Sequence, residues 1–371
     1  MDCNAALASF PTVYAVGEDY QIIVPVTEET VMWVEVGGKN YYDDVNGILR
    51  SDTRTHKICV PGNALDEARS YTVCLRKVNE RKPYFSDLGE EMRFSVPFRP
   101  VRGEELHFYQ IADAHNRVES PIGAAKNCGE TLDFLILNGD IPNHSGDIRN
   151  FAAIHRIAGE ITRGEIPVIF SRGNHDTRGI YAEHLAEHTP TDGGRSYYTV
   201  RMGPVWALVL DCAEDKSDDH AEYGHTVCCH DFRLRETEFL KRVASDPEHE
   251  YAAPGVKHRL VIVHNPFSET LPPPFDIEKE LYGEWCAILK ETIRPELMLC
   301  GHIHKCYVTL PGTEKDHKGA PCPVVVASIP GKTAEEFIGG AVTLTENGAV
   351  VRFTDQDGNE TGREEVSFGG R

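Results

Sequence analysis

Over the first hundred residues, apolar and polar positions alternate in short runs at 21–26, 31–36, 57–60, 71–78 and 92–96, separated by clusters of glycine, asparagine, aspartate and proline. A period of two with such punctuation predicts half-buried strands, and the near absence of a 3.6-residue period predicts an all-β sandwich. Two prolines and a glycine within 97–103 read as a linker. Beyond it the pattern changes. Continuous apolar runs at 108–111, 134–137, 167–170, 260–263 and 297–299 predict buried strands, and helices are expected over 120–129, 147–163, 178–188, 233–245 and 277–292. Residues 306–353 return to strands with glycine turns, which predicts a second sheet half. The expected organisation is an all-β domain over 1–100 and an α/β domain over 101–371, with no internal repeat.

Each buried run of the second part leads into a polar motif: Asp113-Ala114-His115, Gly139-Asp140, Gly173-Asn174-His175-Asp176, His264, and Gly301-His302-Ile303-His304. The carboxyl ends of buried strands are where an α/β sheet places its sites. Taken singly, each motif has an ordinary structural explanation. Asp113 and Asp140 suit helix N-caps, Asn174 a turn beside Gly173, His264 a satisfied core position, and His302 and His304 one polar face of a strand. All five together supply two carboxylates, an amide oxygen and four imidazoles from Asp113, His115, Asp140, Asn174, His264, His302 and His304. Without thiolate, such a set suits manganese, iron, zinc or cobalt, and so many imidazoles disfavour calcium and magnesium. Seven ligands exceed one tetrahedral ion but divide well between two that share a carboxylate, and Asp140, on a tight Gly-Asp turn from a middle strand, is the natural bridge. Two such ions are expected about 3.5 Å apart. Four positive charges against two carboxylates leave a cationic pocket that favours an anionic substrate.

Charge and composition narrow the class further. A net charge of −20 argues against nucleic acid or an anionic membrane as a bulk partner, since either polyanion is repelled. No run approaches the length of a spanning helix, and Met1 to Pro11 lacks the basic start and apolar core of a signal peptide, so a cytoplasmic location is expected. Eleven cysteines, an odd count without framework spacing, fit a reducing compartment. The vicinal Cys228-Cys229 is either a redox element or a loop coincidence.

The ordered motifs resemble those of the calcineurin-like metallophosphoesterase superfamily, D-x-H, G-D, G-N-H-[DE], H and G-H-x-H, over residues 105–344. That resemblance implies a four-layer α/β/β/α sandwich. It assigns one metal to Asp113, His115, Asp140 and His304 and the other to Asp140, Asn174, His264 and His302, which leaves His175 free beside the two ions. An all-β domain of the immunoglobulin or fibronectin III kind before such a domain is similar to the layout of purple acid phosphatases. Those carry a tyrosine three residues after the G-D aspartate, where this chain has Asn143, so obligate ferric iron is not expected. Manganese, iron and zinc stay open.

The resemblance implies hydrolysis of a phosphomonoester or a small phosphodiester, with a hydroxide on the ions attacking phosphorus in line. His175 either protonates the leaving oxygen or stabilises the transition state, with Asp176 orienting the site. Other branches of the superfamily have an aspartate at the position of Asn143 to orient the free histidine; Asn143 can accept a hydrogen bond but brings no charge. His144 is either a substitute for His175 as the acid or a surface loop residue. Arg117 and Arg178 are either phosphate clamps or surface ion pairs. The long polar segment 211–251 and the prolines 272–274 are expected to form the rim, with His220, His225 and His230 either a further metal site or a solvated loop. The all-β part, which contributes no motif residue, is expected to dock, oligomerise or shape one wall. On that reading a chain starting near Arg102 keeps its metals. The opposing class is a binding or scaffolding protein whose metal domain is structural; activity on phosphate esters discriminates the two.

Overall fold

The computed structural model describes residues 5–368; Met1 to Asn4, the start of the segment read for a signal peptide, lie outside them. Two large sheets organise the chain. The first has nine strands in the order Glu360–Ser367, Gly348–Asp355, Ile338–Thr345, Leu106–Ile111, Phe134–Asn138, Pro167–Ser171, Thr12–Val16, Asp19–Pro25 and Thr55–Pro61. The second has six, in the order Tyr198–Met202, Val205–Val209, His258–Ile262, Leu297–Cys300, Val324–Ala327 and Cys306–Thr309. All five motif-bearing strands pair in parallel, three adjacent in the first sheet and two in the second.

The inner faces of the sheets meet in one core, where Phe108, Ile136 and Ile169 pack with Leu260, Ile262 and Leu299. On the outer face of the first sheet, Leu135, Leu137 and Val168 pack against Ile122 of the Glu119–Lys126 helix and Ile154 and Ile157 of the Ala152–Thr162 helix. On the outer face of the second, Leu208 and Val261 meet Leu240 of the Cys229–Ser245 helix and Trp285 of the Lys279–Ile288 helix. These are the four layers α/β/β/α. Strands buried on both faces cannot alternate, which is why their sequences run continuously apolar. Among the described residues, no helix is long and apolar enough to cross a membrane.

The first hundred residues are all-β apart from the short Gly62–Ala68 helix, but they are not a closed unit. Thr30–Val36, Lys39–Tyr42, Ser70–Glu80 and Asp87–Pro97 form a separate four-stranded sheet. The facing strands belong to the nine-stranded sheet, because Thr12–Val16 pairs in parallel with Pro167–Ser171, Val13 opposite Pro167. Met32, Val34, Val73 and Leu75 share the core of Leu260 and Phe134. The residues 97–103 read as a linker are pinned: Phe98 and Val101 are buried, and the Phe98 ring lies 5.2 Å from Tyr20.

Two further expectations need correction. Of 306–353, only Cys306–Thr309 and Val324–Ala327 join the second sheet; Ile338–Thr345 and Gly348–Asp355 return to the first. Over 178–188 the helix is reduced to a 3-10 turn at Ala182–His184 and one α turn at Leu185–His188. Gly179 there has φ +125°, and an added Cβ would overlap the backbone of Gly146, so the chain cannot coil until past that contact.

Candidate metal centre

The site is built from the loops that leave the five parallel strands. Five of the thirteen non-glycine residues with positive φ among the described residues are motif residues: Asp113, His115, Asp140, His302 and His304, with φ between 46° and 69°. Each costs an L-residue roughly 1–2 kcal/mol, and such outliers concentrate where function over-determines the backbone. Glycines let the loops approach. A Cβ on Gly139 would lie 2.5 Å from His264 Nδ1 and 2.7 Å from Gly173 Cα, and one on Gly173 would overlap Asp140 Oδ1.

Neither motif aspartate caps a helix. Asp113 Oδ2 accepts from His302 N at 2.9 Å, and Asp140 Oδ1 accepts from His175 N at 2.8 Å. Each carboxylate thereby ties two motifs together with one oxygen and turns the other inward. Asp113 Oδ1 lies 3.3 Å from His304 Nε2, 3.6 Å from His264 Nε2 and 4.0 Å from His115 Nε2. Asp140 Oδ2 lies 3.2 Å from His264 Nε2. Asn174 Oδ1 lies 3.0 Å from His302 Nδ1, and its backbone is right-handed at φ −75°, not the left-handed turn its place beside Gly173 allowed. His264 is fully buried and donates Nδ1–H to Asn138 O at 2.6 Å, which points Nε2 at the two carboxylates.

This donor set fits cations. Asp113 Oδ1, His264 Nε2 and His115 Nδ1 are buried without a hydrogen-bond partner, a costly arrangement unless an ion completes it. Three groups of side chains hold ligand atoms within 4.8 Å of one another: Asp113, His115 and His304; His115, Asp140 and His175; and Asp140, His264 and His302. Burial pushes His115 and His302 down to about 4, so both present neutral lone pairs. Burial also opposes charge on His264, but Asp140 and Asp113 outweigh it and carry that ring up to about 10. A proton there does the work of a cation, and a metal ion would displace it. His220, His225 and His230 are not gathered into any such group among the described residues; His230 instead bonds Glu278 at 2.8 Å. Cys228 is exposed, Cys229 is buried, and both thiols are free.

The remaining expected residues fall in two places. His175 stands beside the cluster, its ring 4.6 Å from that of His115. Its Nδ1 donates to the backbone carbonyl of Asn143 at 2.7 Å, so the Asn143 side chain plays no part in holding it. Its Nε2 accepts from Arg178 Nη1 at 3.1 Å. His144 is turned to its own loop, accepting from Gly146 N at 3.0 Å. Arg117 donates to the carbonyls of Thr333 and Gly331. Asp176 is wholly buried behind the loop, where its Oδ2 accepts from Gly173 N at 2.6 Å and Asp140 N at 3.2 Å. Burial and the adjacent Asp140 push it up to about 8.

Two acidic residues were not anticipated. Glu214 is buried and grips Arg178 with both oxygens, at 2.9 Å to Nε and 2.9 Å to Nη2, while also accepting from Thr177 Oγ1 at 2.8 Å. Asp215 Oδ2 lies 3.9 Å from His302 Nε2 and accepts from Asn174 Nδ2 at 3.5 Å. Both follow the Val205–Val209 strand as the motifs follow theirs, and that position was the available signal.

Comparison with known proteins agrees with this geometry. The model of the calcineurin-like phosphoesterase family matches residues 84–306, more than half the chain and every motif. No curated protein matches. Among solved structures, a purple acid phosphatase isolated from yellow lupin (Lupinus luteus) seeds aligns with a TM-score of 0.61 at 13% identity, covering 96% of this chain and 74% of its own. The structure of PhoD aligns with a TM-score of 0.55 at 11% identity, covering 98% and 93%. At such identities the likeness is one of fold.

Proposed function

The chain belongs to the calcineurin-like phosphoesterase family, and from that premise we propose that it hydrolyses a small phosphate ester, a monoester or a small diester, using two metal ions. The observation that carries this reading is the inward pair of unpartnered atoms, Asp113 Oδ1 and His264 Nε2, at the centre of the ligand cluster. Asp113, His115, Asp140 and His304 would hold one ion, and Asp140, Asn174, His264 and His302 the other, with manganese, iron and zinc all suited to the set. Bound there, the ions supply Lewis acidity toward the phosphoryl oxygens and make a water acidic near neutral pH.

The chain's own residues do the rest. His175 stands beside the cluster, and Arg178 donates to its Nε2. Glu214 fixes Arg178 on one side and His175 Nε2 braces it on the other, so the guanidinium is a rigidly held donor for an entering phosphoryl group. Asp176 is a positioning residue, holding the Gly173 and Asp140 amides and touching nothing in front of them.

A panel of monoesters, diesters and nucleotides with manganese tests the reading. Turnover that a chelator removes and manganese restores is expected, on one ester class above the rest. No turnover on any ester by fully metal-loaded protein would contradict it.

A further inference from the structure

A cavity of about 360 Å³ lies between the 182–197 loop and the early turns of the Cys229–Ser245 helix. Three arginines line it, Arg172, Arg195 and Arg235. Arg195 is committed to the Asp192 carboxylate. The other two converge on one aromatic ring: the guanidinium carbon of Arg172 lies 5.3 Å from the Phe232 centroid and that of Arg235 6.0 Å. Arg235 meets no carboxylate among the described residues. Arg172 is ion-paired through Nε with Asp211 Oδ2 at 2.7 Å, while its terminal nitrogens meet no partner among the described residues. Asp211 is itself occupied by Ser196 Oγ at 2.5 Å and Ala213 N at 2.8 Å. In a chain of net charge −20, two guanidiniums that share an aromatic ring and keep donors toward a cavity mark it for an anion.

The rest of the lining includes an apolar part, Phe170, Leu185 and Tyr197, beside the hydroxyl-bearing Thr189, Thr191 and Ser196, with Glu183 the one acid. The volume sits at the low end of the roughly 300–1,000 Å³ typical of small-molecule sites, so it suits one ring or a short chain. We propose that this cavity binds a small organic anion, its carboxylate or phosphate held between Arg172 and Arg235 and its apolar body against Phe170, Leu185 and Tyr197. The site contains no metal-ligating motif residue and stands whether or not the phosphoesterase reading does.

Calorimetric titration of the full chain with benzoate tests it, with acetate and phenylphosphonate as companions. Benzoate and phenylphosphonate are expected to bind, and acetate, which lacks the apolar body, to bind far more weakly. Arg235→Gln, at an exposed position, is expected to weaken benzoate about ten- to a hundredfold, the effect of one hydrogen bond to a charged group. Glu183→Gln, which removes the opposing charge, is expected to tighten it, a gain that damage to the fold cannot imitate. No saturable binding at millimolar benzoate overturns the proposal. Binding that neither substitution alters overturns it equally, since anion capture at the metal centre is indifferent to both.

Discussion

His175 has one hydrogen-bonding role at each ring nitrogen, and together they decide what it can do. A carbonyl can only accept and a guanidinium can only donate, so with Asn143 O on Nδ1 and Arg178 on Nε2 the ring carries its proton on Nδ1. As held, Nε2 has no proton to pass to a leaving oxygen; the ring is a positioning residue that braces Arg178, whose guanidinium stabilises phosphoryl charge. We therefore expect His175→Ala to lower kcat on an alkyl ester and on a nitrophenyl ester by similar factors, up to roughly 100- to 1,000-fold, the cost typical of losing one charge-stabilising donor, here the displaced Arg178 guanidinium. A general acid would instead show a much larger loss on the alkyl ester. Glu214→Gln is expected to lower activity with metal content unchanged, because it loosens Arg178 and touches no ligand. Metal loss in that variant would show that Glu214 supports the ion cluster. The residues that gather at the candidate centre were legible in sequence because each is fixed by a short motif. Glu214 and Asp215 were not, since their meaning depends on a loop reaching Arg178 and His302 across the site.

Where single elements meet, buried histidines set an acid limit on stability. His155, on the Ala152–Thr162 helix, lies 3.4 Å from His188 at the end of the Leu185–His188 turn, and His188 in turn bonds Thr55 Oγ1 at 3.2 Å. Burial holds His155 down to about 3 and His188 to about 4. Above pH 6.5 both rings are neutral in the folded and unfolded chain and contribute nothing. As pH falls below 6.5 the unfolded chain takes up protons that the folded one refuses, so stability is lost down to the folded values. For His155 this amounts to about 2 kcal/mol by about pH 5. His155→Gln is expected to flatten the fall of Tm between pH 6.5 and 4, and an unchanged slope would contradict the assignment. The helix carrying His155 was readable from its apolar period; the turn carrying His188 was overread as a helix, because the contact of Gly179 with Gly146 is invisible in local pattern.

Across the whole molecule, the first hundred residues belong mechanically to the catalytic sheet. Alternation revealed five of their strands but neither Thr12–Val16 nor its partner, since the pairing of Val13 with Pro167 joins positions far apart in sequence. The consequence reverses the expectation for a chain starting near Arg102. Its Pro167–Ser171 strand would become a bare apolar edge, and Phe134 and Leu260 would lose the cover of the core they share with Val34 and Leu75. Such a chain is expected to aggregate without a cooperative melting transition; a soluble, metal-binding product would show that the catalytic part folds alone.

The central claim concerns how many ions the motif residues hold. Elemental analysis of manganese-reconstituted protein is expected to give two ions per chain, and Asp140→Ala, which takes a ligand from both, to lose them together with turnover. One ion or none in the reconstituted wild-type chain would contradict the two-metal account.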